Sequence, residues 1–235
     1  MKGIIHSYES LAAADGLGLR YAVFLAGCPL RCVCCHNPDT WSMVGTEINS
    51  DELVKKITRY KPYFKNNGGI TFSGGEPLLQ AEFIEEMIQP LSENNIKYAI
   101  DTSGAVDLSE SVKNVLDNAQ TVILDLKYWD DESYRKYTRF GIDKTLKMLD
   151  YLESKNISTW IRTVIIPGIN NSEDCLKKYL KHIKRLKCVE RYELLPFHTM
   201  GFFKYEELGI DNPLINTEPQ GSVKELQEFI NKNIF

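Results

Sequence analysis

The chain has 235 residues, 43% of them hydrophobic, and a formal net charge of −4. That is enough to bury one sizeable core, and the mild acidity carries no basic footprint for a nucleic acid. No apolar run approaches the roughly 20 residues of a membrane helix, and the opening residues lack the apolar stretch and cleavage site of a secretory signal, so the expected setting is the cytoplasm.

Residues 1–6 read as a short strand. A second apolar run, 21–26, leads directly into a cysteine-rich loop. Ser50 reads as the N-cap of a helix over 51–60. A strand at 69–72 leads into Gly74-Gly75-Glu76-Pro77. An amphipathic helix over 79–94 follows, with Pro90 expected to kink or end it. Strand 96–100, helix 109–118, strand 121–126, helix 144–155, strand 158–166, helix 173–187 and strand 189–195 continue the alternation. A last helix over 222–231 closes the chain. The strands are mostly short and rich in Ile, Val, Phe and Tyr, as buried parallel strands are. Six such strands alternating with helices imply a parallel sheet with right-handed crossovers. Six is two short of a closed (β/α)8 barrel, which leaves a doubly wound sheet or an open partial barrel. Both place the active site at the carboxyl ends of the strands.

Four of the six cysteines crowd into one loop, Cys28, Cys32, Cys34 and Cys35, while Cys175 and Cys188 stand alone. Clustering points to metal or redox chemistry rather than a disulfide framework, and the two isolated cysteines read as buried thiols. Cys28, Cys32 and Cys35 form a C-x3-C-x2-C set. Three thiolates on one tight loop can hold three irons of a [4Fe–4S] cubane and leave the fourth open, where an ordinary site uses four cysteines. A Cys3His zinc site using His36 is the alternative, although structural zinc usually draws on two separated ligand pairs. Gly74 and Gly75 either let a ligand meet bare backbone or form a plain turn. Asp101-Thr102, Asp125-Leu126-Lys127, Arg162 and His198 each fall at or near a strand's carboxyl end. Singly, each has a bland reading as a cap, a solvated charge or a satisfied loop side chain. Together with the cysteines and glycines they mark all six strand ends, where this architecture places function.

These residues and their flanks, over 5–10, 15–20, 28–41, 73–80, 101–104, 125–127, 160–162 and 194–201, resemble the radical S-adenosylmethionine (SAM) superfamily. Within it they are similar to the glycyl-radical-enzyme activating family of the pyruvate formate-lyase type. The resemblance implies an α/β fold, an open partial (β/α)6 TIM-like barrel. It implies one domain over 1–235, with a partner-facing segment at 1–20, the core at 21–200 and an extension at 201–235. It further implies one [4Fe–4S] cluster on Cys28, Cys32 and Cys35, with SAM on the open iron. Reductive cleavage of SAM would yield methionine and a 5′-deoxyadenosyl radical that takes hydrogen from a glycine of pyruvate formate-lyase under anaerobic conditions. The implied SAM contacts are Cys34, Cys35, His36 and Asn37 on the adenosine side and Gly74 and Gly75 on the methionine side. Asp101, Asp125, Leu126, Lys127, Arg162 and His198 complete them. Asp101, Thr102 and Asp125 resemble a monovalent-cation site. Asp15, Gly16, Gly18 and Arg20 sit where the family meets the glycyl loop of its partner. Reduced flavodoxin or ferredoxin is the implied electron donor, and a monomer is the default state.

Two positions depart from the family pattern. Cys34 stands where a non-cysteine residue is usual, and Leu17 replaces a common proline. No cysteine lies between Cys35 and Gly74, where larger activating enzymes carry a ferredoxin-like insert. Other readings stay open: an activase of another glycyl-radical enzyme such as the anaerobic ribonucleotide reductase, a single-cluster enzyme acting on a small molecule, or a zinc-binding scaffold. The scaffold leaves Gly74-Gly75, Asp125-x-Lys127 and His198 without a shared role.

Overall fold

In the computed structural model, which describes residues 1–234, one eight-stranded sheet carries the whole architecture. Its strands are β1 (Lys2–Ala12), β2 (Arg20–Leu25), β3 (Thr46–Asn49), β4 (Gly69–Gly74), β5 (Lys97–Thr102), β6 (Thr121–Asp125), β7 (Thr159–Ile165) and β8 (Val189–Pro196). They lie in the order β3-β1-β2-β4-β5-β6-β7-β8. β2 through β8 run parallel within this order, and β1 pairs antiparallel with both β2 and β3. The six parallel strands are those expected from the sequence. The sheet does not close, since β3 and β8 remain edges, and its parallel strands follow chain order without the reversal of a doubly wound sheet, which is the open partial barrel.

Central strands are buried on both faces, as in Ile70–Phe72 and Val122–Leu124. Their apolar runs therefore lack the polar alternation of a half-exposed sheet. Crossover helices α1 (Ser50–Thr58), α3 (Ala81–Glu93), α4 (Glu110–Asp117), α6 (Asp143–Lys155) and α7 (Glu173–Ile183) pack buried stripes against the sheet. A short α2 (Lys61–Phe64) precedes β4. α5 (Asp131–Thr138) and α8 (Phe202–Glu207) flank the carboxyl-end loops, and α9 (Lys224–Ile234) packs on α7 and β8.

Local expectations needed two corrections. The N-cap of α1 is Asn49, whose N–H is 3.5 Å from Glu52 Oε2; Ser50 is already helical, its hydroxyl 2.7 Å from Glu86. Pro90 neither ends nor replaces the last turn of α3, which continues to Glu93 because Leu91 is fully buried. The Asn94 side chain caps the Pro90 carbonyl at 2.8 Å.

Candidate active site

The cysteine loop leaves β2 and is fastened on three sides. Gly27 N–H donates to Thr40 O at 2.8 Å, and Gly27 O accepts from Glu76 N–H at 2.7 Å. Arg31 N–H and Val33 N–H donate to Thr138 O and Tyr137 O, at 2.8 and 2.9 Å, in the last turn of α5. From the far side, Tyr205 of α8 donates its hydroxyl to Cys35 O at 2.8 Å, and Lys204 reaches Asn37 Oδ1 at 2.7 Å and Asp39 at 2.9 Å. A loop held this way is preorganised for a ligand.

Cys32 is buried, and Cys28, Cys34 and Cys35 are half-buried. Burial pushes the Cys28 thiol up to about 12 and Cys34 up to about 11, with the Lys127 ammonium opposing both. These thiols give up their protons when a metal displaces them. Burial pushes the Cys35 thiol up, and the nearby Asn37 backbone and Trp41 side chain oppose that push. Among the described residues, no three His, Cys, Asp or Glu side chains gather as ligands of a single ion. The His36 ring lies against His198, with centroids 5.5 Å apart, rather than completing a Cys3His set.

Gly74 ends β4 and Gly75 follows it. A Cβ on Gly74 would collide with Leu25 backbone, and one on Gly75 with Gly27 O. The glycines thus let the β4 end pass directly beneath the cysteine loop, while both remain partly open on their other side. Gly74 also has φ +117°, a conformation that favours glycine. Glu76 is fully buried and ties this turn to the next strand. Its carboxylate accepts from Leu78 N–H (3.1 Å), Thr102 Oγ1 (2.7 Å), Ser103 N–H (2.9 Å) and Ser103 Oγ (2.6 Å). Burial pushes the carboxyl up, and these donors pull it back.

On β5, β6 and β7 the charged residues converge. Asp101 accepts from Ser73 Oγ at 2.9 Å and lies 3.9 Å from Arg162 Nη1. Burial and the neighbouring Asp125 push Asp101 up to about 6. Asp125 pairs with Lys127. Burial pulls the Lys127 ammonium down, but Asp125, Cys32 and Cys34 more than offset it and hold it well above its usual range. Leu126 between them is buried and fixed by Leu126 N–H to Arg162 O at 2.9 Å. Arg162 Nε bonds Glu193 Oε2 at 3.2 Å, and its Nη2 donates to Ala14 O. One buried guanidinium therefore links β5, β8 and the 13–19 segment. At the edge of this constellation His198 Nδ1 is buried with no partner. An orphaned buried polar atom costs about 1–3 kcal/mol, and here it marks a place for a polar ligand beside the cysteines. A three-thiol donor set, an adjacent cation and that orphaned nitrogen fit an iron–sulfur cluster with a polar co-ligand.

One expected role changes. Arg20 is 1% exposed, and its guanidinium is spent inside the fold on Thr71 Oγ1 (3.1 Å), Leu17 O (3.1 Å), Gln120 Oε1 (3.0 Å), Asn67 O (3.4 Å) and Ile70 O. It is not a surface contact for a partner; it holds the turn that presents Asp15, half-buried, and Gly18, exposed. Gly16 is buried near Thr71 and Ala99. The Thr102 hydroxyl donates to Glu76 and accepts from Gly104 N–H.

A model of the radical SAM superfamily matches residues 23–180. The pyruvate formate-lyase-activating enzyme of Clostridium pasteurianum is 43% identical over 227 residues, covering 94% of this chain and 93% of that one. That of Staphylococcus epidermidis is 40% identical over 243 residues, covering 99% and 97%. The chain belongs to the pyruvate formate-lyase-activating enzymes of the radical SAM superfamily. A domain of such an enzyme from Bacteroides vulgatus superposes with a TM-score of 0.56 at 25% identity, covering 70% of this chain and 91% of that one. Streptococcus suis SuiB bound to its precursor peptide SuiA gives 0.69 at 16% identity, covering 92% and 46%, a likeness of fold.

For an activating enzyme of this family, the structure adds residues that sequence reasoning passed over. Glu76, Glu193, Lys204 and Tyr205 hold the site from behind. Glu76 lies within the Gly-Gly-Glu-Pro run and was legible only as a motif letter. Lys204 and Tyr205 sit on a six-residue helix with no periodicity long enough to read.

Proposed function

We propose that this chain installs the glycyl radical of pyruvate formate-lyase, by reductive cleavage of SAM at a [4Fe–4S] cluster held by Cys28, Cys32 and Cys35. When bound, the cluster supplies the single electron that splits SAM into methionine and a 5′-deoxyadenosyl radical, which takes a hydrogen atom from the partner's glycine. The observation that carries this reading is the convergence of the braced cysteine loop with Lys127, Arg162 and the unpartnered His198. Lys127, held protonated, supplies a cation for the SAM carboxylate. The open side of Gly74 and Gly75 offers backbone to the methionine end. The stretch from Cys34 to Asn37, with His198, lines the adenosine side, and buried Leu126 keeps water out. Asp101 and Asp125 together form an anionic pair that a monovalent cation neutralises. Asp15 and Gly18 receive the glycyl segment, on a turn placed by Arg20 and Arg162 around buried Gly16. The electron comes from reduced flavodoxin or ferredoxin, and the chain works as a single cytoplasmic domain.

The test is anaerobic. Reconstituted protein, dithionite and SAM are incubated, and methionine and 5′-deoxyadenosine are quantified together with protein-bound iron. Equal yields of both products are expected. Serine at Cys28, Cys32 or Cys35 abolishes them and lowers iron, whereas Cys34→Ser keeps about four irons and the products. Cleavage surviving loss of Cys28, Cys32 and Cys35 together would sink the assignment.

A further inference from the structure

The proposed reaction consumes one external electron per cleavage, and the cysteine loop must meet whatever delivers it. The loop's bracing identifies one outer surface directly behind it. Arg31 and Val33 are hydrogen-bonded to the last two residues of α5. Phe140, just beyond that helix, packs on Leu30 and Cys32. No other layer of chain separates the end of α5 from the loop's backbone. Electron transfer weakens steeply with distance, so a carrier seated here approaches the cysteines closely.

The charge at this seam runs against the rest of the molecule. The chain as a whole is net −4. At the seam, Lys136 and Arg139 are exposed and Arg31 is half-exposed. Among the described residues none of the three has a carboxylate partner within 4 Å, whereas nearby Arg135 is taken by Asp131. Lys136 lies over the Tyr137 ring at 4.9 Å, and Arg31 over Trp41 at 4.9 Å. The first contact holds a cation at the surface without neutralising it, while Arg31 Nη1 also donates to Cys28 O (2.8 Å) and Leu30 O (2.7 Å), which fixes its charge against the loop with no carboxylate beside it. Tyr137 in turn stacks on Tyr128 at 4.8 Å, which keeps the interior side of the seam apolar. An unneutralised positive patch on an acidic protein attracts an acidic partner to that place and repels it elsewhere.

We infer that the seam between the cysteine loop and the end of α5, marked by Arg31, Lys136 and Arg139, is the docking site of an acidic one-electron carrier protein. The inference rests on the proposed function, since it assigns the entry face for that reaction's electron. Each delivery oxidises the carrier by one electron and reduces the acceptor on the cysteine loop by one; no bond forms or breaks. The seam shares no residue with the 13–19 segment assigned to the glycyl partner.

The test uses the Lys136→Glu/Arg139→Glu double variant of the reconstituted protein and an acidic flavodoxin as probe. Binding of oxidised flavodoxin is measured by titration at low and high salt. Wild type is expected to bind with an affinity that falls as salt rises. The variant is expected to bind about ten-fold or more weakly at low salt, with the difference shrinking at high salt. Lys177→Glu/Lys184→Glu, at exposed positions on α7 and at its C-cap, controls for net charge and should change little. SAM cleavage driven by dithionite is expected to be unchanged in all variants, while cleavage driven by reduced flavodoxin falls only in the seam variant. Equal binding by wild type and seam variant, or equal loss in the α7 control, overturns the docking site. Absence of dithionite-driven cleavage in wild type instead overturns the proposed function, and the binding measurement still decides the docking site.

Discussion

Glu76 offers the sharpest test of how the site is held. Its two carboxylate oxygens take four donors, two of them backbone N–H groups that can only donate: Leu78 N–H on Oε1 and Ser103 N–H on Oε2. Glu76→Gln keeps the shape and replaces one oxygen with a donor. Whichever way the amide faces, one backbone N–H loses its acceptor. The hydroxyls of Thr102 and Ser103 can turn, but Thr102 Oγ1 also accepts from Gly104 N–H at 2.9 Å. An orphaned buried donor costs about 1–3 kcal/mol, and the charge-assisted bonds lost with it about 1.5–3 each. The expected loss is about 3 kcal/mol. For a chain of this size that lowers Tm by about 6–12 °C. The assay is thermal and urea denaturation of the apoprotein, followed by circular dichroism under reducing conditions. Burial pushes this carboxyl up, and if it stood neutral, glutamine would mimic the acid. A Tm change below about 2 °C would therefore refute an ionised Glu76 as the clasp between the β4 and β5 ends.

Other outcomes follow from the same geometry. Arg20→Ala is expected to destabilise the fold by about 3 kcal/mol or more, because at least four acceptors lose a buried donor. Asp15→Asn is expected to leave urea stability within about 1 kcal/mol and to slow activation of pyruvate formate-lyase; equal denaturation midpoints for Arg20→Ala and wild type would return Arg20 to a surface role. Asp101 is raised from 3.8 to about 6 in the fold. Between these values the native state holds a proton that the unfolded chain has lost, so the apoprotein loses stability as pH rises from about 4 to about 6. The loss is about 2–3 kcal/mol, and urea titrations of wild type against Asp101→Asn across that range should show it only in wild type. Parallel profiles would mean that Asp101 is ionised throughout. Gly75→Ala would push a Cβ into Gly27 O and is expected to lower iron retained on reconstitution; retention equal to wild type would mean the loop tolerates that displacement.

Five of the six parallel strands were legible as short apolar runs whose burial on both faces leaves no competing helical period, while β8, at the sheet edge, exposes Glu190 and Arg191 and was legible from its length and its Val, Tyr and Leu content. β3 was not, since Thr46–Asn49 is mostly exposed and exists through its pairing with Lys2–Ile5. α5 escaped notice because Asp131–Thr138 carries few apolar residues. Its helicity rests on Asp130 accepting from Ser133 N–H at 2.8 Å and on Arg139 adopting a left-handed C-cap. The strand-end rule puts Asp101, Asp125, Lys127, Arg162 and His198 at or near the carboxyl ends of the strands from the sequence alone. It could not separate Arg20 from Asp15, five residues apart, because burial of an arginine depends on acceptors from Asn67 to Gln120 that are far away in sequence. Nor could it show that Gly74 and Gly75 are small for the sake of the chain's own backbone as well as a ligand's.

The central claim is that this site makes a radical in a partner protein. Electron paramagnetic resonance on anaerobically reconstituted, reduced protein tests it most directly, with SAM added in the presence and absence of pyruvate formate-lyase. A reduced [4Fe–4S] signal that shifts with SAM is expected, with a glycyl-radical doublet that appears only with the lyase. A reduced-cluster signal indifferent to SAM, or a doublet absent when the lyase and SAM are both present, would contradict it.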